Sequence, residues 1–415
     1  MSLLHTPEGA AALTAAMAEQ DPDSLAAATR LRRGHPAELA AEALTQAALR
    51  RKARTKFGDD AARLFFTPDA LEQATRPAVA AWRAERLRAA GIRRVIDLGC
   101  GIGADSIACL HAGIDVVAVE LDPTTAEHAR ANLAAAAEPH NPSTAAELVE
   151  ARAEVIQGDA VALAPELLAG AGPETCVFID PARRTEGGRT WKVEAFTPPW
   201  DFVLSLLDGP HSTVVKLGPG VPKQLLPDDV EALWVAVGND VVECSLWRTP
   251  DARPVHGAVL LQPFDRLGDR AAGRRIDAMA HEPLPVGPVG RYLVEPHGAV
   301  IRAGALDQIG PETWLLDPQV AYLSTNHPVT SPFATCFEVL EDLDFNPKLL
   351  KAWVREHRVG TLEIKKRAID VDPAELRKKL QPKGPNSATL VLARTPDGAR
   401  ALVVARLVSA RSQTC

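Results

Sequence analysis

Between residues 92 and 220 the chain alternates short apolar runs with longer stretches whose apolar positions recur every three or four residues. That is the pattern of strands joined by helices. Arg94–Leu98 is an apolar run after its first residue, broken by Asp97 near its end, and helical spacing follows through Ala104–Ala112. Asp115–Leu121 repeats the strand pattern with Glu120 near its end, Pro123–Ala137 reads as a helix, and Glu138–Thr144 is a low-complexity loop. Ala153–Asp159 is a third strand, closing on Gly158-Asp159-Ala160. Cys176–Ile179 is a fourth, followed by Asp180-Pro181-Ala182-Arg183-Arg184, and Thr213–Val215 a fifth, followed by Lys216-Leu217-Gly218. Strands alternating with helices predict an α/β fold with a doubly wound parallel sheet. Glu231–Val237, Val241–Trp247 and Val255–Leu261 are three more strand-like runs, the first two joined through Gly238-Asn239-Asp240. They supply an antiparallel edge, although the pattern does not say which run closes the sheet.

The flanks read differently. Pro7–Glu19 and Pro36–Arg54 have helical spacing, and the second runs into Arg50-Arg51-Lys52-Ala53-Arg54-Thr55-Lys56. Basic residues in a last turn suit the helix dipole; a run this dense also suits a phosphate. Thr67 before Pro68 has the form of an N-cap. Past Pro263 a charged stretch, Arg266–Arg275, and the proline-rich Glu282–Pro288 form a linker. A second unit opens at Tyr292–Gly304. It continues with a helix near Ala305–Ile309, strands at Ala334–Leu340 and Thr361–Lys366, and helices at Lys348–His357 and Pro373–Leu380. Thr389–Ala393 and Ala401–Arg406 pair across Pro396-Asp397-Gly398. This mixture predicts a small α+β module, giving segments 1–80, 81–265 and 285–415. His297 has no metal-like neighbours in sequence and reads as an ordinary polar residue.

Composition narrows the class. With 415 residues, 46% hydrophobic and 24% charged, the chain can bury real cores in more than one domain. No segment has the apolar length of a membrane span, and the N-terminus lacks a basic region followed by an apolar one, so a cytoplasmic protein is expected. The six cysteines show no CxxC pair and no metal spacing, which points to reduced thiols and no metal. Net charge is −7, yet residues 348–383 hold eleven Lys/Arg against five Asp/Glu, a local +6. Such a run is either a solvated face or a surface for phosphate backbones, and its spread over helix, strand and helix favours the second.

The glycines add the chemistry. Gly99-Cys100-Gly101-Ile102-Gly103 follows a strand and opens a helix, the context in which a glycine turn lets a ligand approach the backbone. Asp97 stands where a carboxylate accepts a hydrogen bond from a cationic amine. Glu120 lies about 20 residues on, where a carboxylate meets ribose hydroxyls in doubly wound folds. An acidic residue just before the glycines suits an ammonium better than a phosphate. Chemistry in open sheets lies beyond the carboxyl ends of the strands, which puts Asp180 at the active edge with Pro181 restraining its turn. If strands four and five are neighbours, Lys216 lies beside Asp180, either as its ion-pair partner or as a contact for a substrate phosphate. Trp200 either packs at the start of a helix over Asp201–Leu207 or stacks on a base, packing being the simpler reading.

The order Asp-Leu-Gly-Cys-Gly-Ile-Gly resembles the cofactor loop of class I S-adenosylmethionine-dependent methyltransferases. Lys56-Phe57, Leu64–Thr75, Asp97–Gly103, Asp180–Arg184, Lys216–Gly220, Tyr292–Gly304 and the basic module together resemble a bacterial family of these enzymes with a C-terminal THUMP-like domain. The resemblance implies a Rossmann-like methyltransferase sheet, S-adenosylmethionine as cofactor and RNA as substrate. It implies a cofactor site made by Asp97, Gly99, Cys100, Gly101, Gly103 and Glu120, joined by Leu121, Asp159, Ala160 and Asp180. Asp159 would meet the adenine amine, and the segment at Thr67 would cover the cofactor. Asp180, Pro181 and Lys216 would serve the chemistry, with Asp180 orienting an acceptor nitrogen. Arg183, Arg184, Lys365, Lys366, Arg367, Lys378 and Lys379 would meet RNA. Asp180-Pro181-Ala182-Arg183 is similar to a motif of RNA 5-methyluridine methyltransferases, but Lys216-Leu217-Gly218 stands where those enzymes carry a nucleophilic cysteine. Guanine-N2 methyltransferases share the layout, yet Ala182 and Arg183 replace their second proline and aromatic, and Pro198-Pro199-Trp200 comes later in the chain. Direct transfer to a base nitrogen is the expectation, with the target atom open. A small-molecule methyltransferase and a catalytically silent RNA-binding protein are the rival classes.

Overall fold

The computed structural model describes residues 3–137, 151–183, 193–263, 273–279 and 283–407. The chain forms two compact units. The first comprises Met1–Gly238, Val242–Pro254 and Leu261–Gly273; the second comprises Asn239–Val241, Val255–Leu260 and Arg274–Cys415.

In the first unit, helices α1 (Pro7–Ala18), α2 (Leu25–Leu31) and α3 (Ala37–Phe57) pack through alanines and leucines, with Thr6 and Ser24 capping the first two. Helix α2 is not foreseen from the sequence. A short α4 (Pro68–Gln73), capped by Thr67, and α5 (Pro77–Ala89) lead into the sheet. Its strands are β1 (Arg94–Leu98), β2 (Asp115–Glu120), β3 (Ala153–Gln157), β4 (Thr175–Ile179), β5 (Ser212–Leu217), β6 (Glu231–Val237) and β7 (Asp240–Arg248). Helices α6 (Ala104–His111), α7 (Pro123–Ala137), α8 (Ala160–Leu168) and α9 (Trp200–Leu207) connect or flank them.

The sheet is nine-stranded, and the seven strands that position the site run β3-β2-β1-β4-β5-β7-β6. From β3 to β5 the neighbours are parallel, and β7 lies antiparallel to β5. The second run of the hairpin therefore inserts beside the parallel strands, and the first lies outside it. Register decides what meets at the carboxyl ends. Leu98 pairs with Val119 and with Ile179, and Ile179 pairs with Val215. One residue further on, Gly99, Glu120, Asp180 and Lys216 stand in a row.

The second unit contains β8 (Tyr292–Pro296), α10 (Gly298–Ala303), β9 (Trp314–Asp317), β10 (Val320–Thr325), β11 (Ala334–Asp344), α11 (Pro347–Glu356), β12 (Val359–Arg367), α12 (Pro373–Leu380), β13 (Asn386–Thr395) and β14 (Gly398–Arg406). His297 caps α10 by accepting from Ala299 N at 3.1 Å. The helix expected near Ala305–Ile309 is a short 3-10 turn, Leu306–Gln308, and β9 and β10 are unforeseen. The strand order is β9-β10-β8-β11-β14-β13-β12.

This sheet curls on itself. In a flat sheet β8 and β12, four places apart, would be separated by about 19 Å at ordinary strand spacing. Instead Lys365 Nζ on β12 lies 2.5 Å from Glu295 Oε2 on β8. Arg394 on β13 likewise reaches Asp317 on β9 at 2.5 Å, and Arg367 lies over the Tyr322 ring of β10. Leu293, Tyr322, Phe337, Val391 and Leu402 fill the inside of the curl. Helices α11 and α12 cover the outside, where Leu350, Trp353 and Val354, at helical spacing, meet Leu362, Ile364 and Leu376.

Candidate active site

At the end of β1 the glycine turn folds back on β2. Gly99 N and Cys100 N both donate to Val119 O, and Gly99, Gly101 and Gly103 all take positive φ, which residues with side chains resist. Glu120 is fixed by the same turn: its Oε2 accepts from Gly101 N at 2.9 Å and its Oε1 from Asp122 N at 2.9 Å. Leu121 beside it is exposed. Asp159 caps α8, accepting from Val161 N and Ala162 N, with Ala160 beginning the helix.

Asp97 is the exceptional group. It is 1% exposed. Its Oδ2 accepts from Ser106 Oγ at 2.6 Å, while its Oδ1 has no hydrogen-bond partner. Burial pushes its carboxyl up to about 7; the Ser106 bond opposes this and the Asp105 and Asp180 charges add to it. Asp97 is also a lining residue of the pocket described below, and an unpaired buried oxygen there calls for a donor that arrives with a ligand. Cys100, in the same turn, has its thiol pushed well up by burial, which makes it a poor nucleophile.

The active edge joins Asp180 to Lys216 in an ion pair, and Lys216 Nζ also lies 3.4 Å from Gln73 O. Burial works against the Lys216 charge, but Asp180, Asp105 and Glu243 hold its pKa above the ordinary value. Pro181 is buried at the turn after β4. A two-residue ladder, Ala182–Arg183 with Phe196–Thr197, brings Thr197, Pro198 and Pro199 to the pocket that Asp180 lines. The proline pair thus belongs to the site although it stands off the strand end in sequence. Trp200 is buried and packs on Phe196 with ring centroids 5.2 Å apart, so packing explains it without a base. Arg184 lies outside the described residues.

A strap, residues 63–75, covers one side of this pocket, and side chains satisfy its backbone. The amide of Asn132 on α7 pairs with both N and O of Phe65, and the amide of Gln46 on α3 does the same for Phe66. Arg50 Nε donates to Leu64 O at 3.0 Å, and Lys56 Nζ donates to Leu71 O at 2.8 Å and Glu72 O at 3.0 Å. Arg51 donates to Gln20 O and Glu19 O. In the basic run of α3 these three side chains therefore bind carbonyls and do not present a face to phosphate. Their sequence signal was modest: Gln46 and Arg50 sit at helical spacing within an otherwise apolar face.

Beneath the active edge lies a buried ion cluster that no local motif announced. Arg83 on α5 is 1% exposed; its Nη1 and Nη2 each lie 3.0 Å from Glu243, and its Nε lies 3.0 Å from Asp105. Asp105 also accepts from Thr75 Oγ1 at 2.5 Å, tying the cluster to the strap. Burial alone would lower the Arg83 pKa, but Glu243 and Asp105 raise it. The pocket bounded by strap, glycine turn and active edge has a volume of about 660 Å³, lined by Thr67, Gln73, Asp97, Gly101, Glu120, Leu121, Asp159, Asp180 and Lys216 among others. No group of His, Cys, Asp or Glu among the described residues is placed to hold a metal.

In the second unit the basic residues divide between two faces, as alternation along a strand requires. Lys365 and Arg367 point into the curl, where Glu295 and Tyr322 engage them. Lys366 and Lys378 lie on the outer side, where both act on Asp372, and Lys379 is exposed on the same helix as Lys378. Lys378 also pairs with Glu375 at 2.7 Å, with both side chains exposed.

A family model for a THUMP domain-like region matches residues 334–406, and one for a domain of unknown function matches residues 1–53. The chain is 31% identical over 371 residues to an uncharacterised S-adenosylmethionine-dependent methyltransferase of Mycobacterium tuberculosis strain CDC 1551 / Oshkosh, covering 86% of this chain and 93% of the relative. The counterpart in strain ATCC 25618 / H37Rv matches with the same figures. The crystal structure of a candidate methyltransferase from Porphyromonas gingivalis W83 superposes with a TM-score of 0.74 at 21% identity, over 96% of this chain and 98% of that one. At that identity the likeness concerns the fold.

The ion cluster yields a direct test. Arg83→Met leaves Glu243 and Asp105 buried without their counter-charge and should cost about 3–5 kcal/mol in denaturant unfolding. Adding Glu243→Met should recover part of that loss; two losses that simply add would mean the pair is not coupled.

Proposed function

The chain belongs to the family of S-adenosylmethionine-dependent methyltransferases that includes its mycobacterial relatives, and on that premise we propose that it methylates a base nitrogen of RNA in the cytoplasm. When bound, the cofactor supplies a methyl group on a sulfonium, electrophilic enough for direct transfer. The observation that carries the site assignment is the unpaired Asp97 Oδ1 in the pocket wall. In this reading it accepts from the cofactor's ammonium, Glu120 meets the ribose hydroxyls, and Asp159 meets the adenine amine. Gly99, Cys100, Gly101 and Gly103 let the ligand lie against the backbone, with Thr67, Leu121 and Ala160 at its margins.

Asp180 accepts a hydrogen bond from the acceptor's N–H and turns the nitrogen lone pair toward the methyl. Lys216 keeps that carboxylate in place, and Pro181 restrains the turn. An exocyclic amine such as guanine N2 suits an acceptor-only carboxylate, and Thr197–Pro199 beside Asp180 give the entering ring apolar walls. The THUMP domain-like match and the local +6 of residues 348–383 support RNA as the substrate class. The division of labour is chemistry in residues 81–265, with the helical segment 1–80, and RNA affinity in 285–415. Arg183, Arg184 and Arg367 are further phosphate contacts in this reading. Because Lys365 is engaged by Glu295, its removal would also loosen the curl, so the outer lysines report RNA binding more cleanly.

Nucleoside mass spectrometry of RNA from cells lacking and regaining the gene tests the substrate class, since one methylated nucleoside should vanish and return. With that RNA, Asp180→Ala should retain cofactor affinity and lose most transfer; transfer at the wild-type rate would remove the role given to Asp180. Charge reversal at Lys366, Lys378 and Lys379 should weaken RNA binding strongly at low salt and flatten its salt dependence by about 0.7 of a log–log unit per lost contact. Unchanged binding at low salt would make the patch a solvated face and bring the small-molecule reading forward.

A further inference from the structure

Helix α4 has six residues, too short to hold its own shape in water, and it lies in the strap that walls the pocket. Its last turn presents carbonyls that no intrahelical donor can reach. Two ammonium groups serve them from different elements. Lys56, on the last turn of α3, donates to Leu71 O and Glu72 O. Lys216, at the end of β5, lies within reach of Gln73 O and is paired with Asp180. The two like charges act unfavourably on each other. Other donors fix the front of the strap, residues 64–66, while Lys56 serves the carbonyls of 71 and 72.

We propose that Lys56 is a positioning residue for the cofactor site: together with Lys216 it clamps the carbonyls of Leu71, Glu72 and Gln73, and so holds the strap closed over the pocket. The inference rests on the methyltransferase reading of that pocket. A cation at a helix C-terminus is favourable for the macrodipole, and Lys216, which reaches Gln73 O at the end of the same helix, is also the partner of Asp180. Lys56 faces Lys216, Arg76 at the start of α5, Glu72 on α4 and, within its own helix, the Phe57 ring at 5.9 Å. Burial, then repulsion from Lys216 and Arg76, pulls its pKa down to about 8, with Glu72 opposing. Its charge is therefore lost as pH rises through about 8, and a neutral amine donates more weakly to carbonyls.

The test uses the full chain and S-adenosylmethionine in calorimetry, with Lys56→Met and Lys56→Arg. Lys56→Met should bind at least about tenfold more weakly, whereas Lys56→Arg, which keeps charge and donors, should stay near wild type. Hydrogen exchange in the presence of ligand should speed up at amides 67–75 in Lys56→Met and not in Lys56→Arg. The ratio of wild-type to Lys56→Arg affinity should fall above pH 8; the ligand's own amine, which titrates nearby, affects both proteins equally and cancels in the ratio. This last comparison stands even if Lys56→Met does not fold. A folded Lys56→Met that binds within twofold of wild type, or a ratio flat from pH 7 to 9, would overturn the proposal. A wild-type chain that does not bind the ligand at all would instead defeat the cofactor reading beneath it.

Discussion

A carboxylate sealed near the end of β1, with one oxygen bonded to Ser106 and the other without a hydrogen-bond partner, is the constraint around which the pocket is built. Burying an acceptor without a donor is costly, and burying a charge costs more. The remainder of the pocket wall contrasts with it. Glu120 has both oxygens bonded to backbone N–H groups, Asp159 caps a helix, Asp105 is shared by Arg83 and Thr75, and Asp180 is paired with Lys216. Among these described carboxylates of the pocket and its surroundings, Asp97 is the one with a buried oxygen left without a donor. The glycine turn beside it is the place where a ligand can reach that oxygen.

Holding such a site needs a frame, and the N-terminal helices supply one for the strap. Helix α3 works as a rack: Gln46, Arg50 and Lys56 each bond backbone groups of the strap, so side chains satisfy an irregular segment that has no ladder of its own. In the second unit an apolar core fills the curled sheet, and ion pairs span it. Lys365 with Glu295 and Arg394 with Asp317 tie strands that are distant in the hydrogen-bonding order. The same tie engages Lys365 inside the curl, while Lys366, Lys378 and Lys379 are exposed on the outer side.

What could be read from sequence was local. The strand, glycine turn and helix at 94–112 declare themselves because period two, positive-φ glycines and period 3.6 follow one another without interruption. The row of Glu120, Asp180 and Lys216 followed from parallel strands ending together. Contacts between distant segments were not legible. Arg83 meets Glu243 across 160 positions, and α5, buried on most sides, shows no polar stripe to mark an unusual arginine. Pro198 and Pro199 reach Asp180 only because the chain turns back through the ladder at 182–183 and 196–197. Alternation along β12 already separates Lys366 from Lys365 and Arg367, but the curl that engages the latter two depends on five other strands.

The central claim is that the Asp97 carboxylate receives the cofactor's ammonium, and the most direct measurement is the number of protons exchanged when S-adenosylmethionine binds. With its carboxyl near pH 7 in the free protein, Asp97 is mostly protonated at pH 6 and must ionise to take an ammonium, so binding should release close to one proton. Calorimetry at pH 6 in buffers of different ionisation enthalpy reads that number. About one proton should be released by the wild-type chain and none by Asp97→Asn. Equal release by both proteins, or none by either while both bind, would contradict that claim.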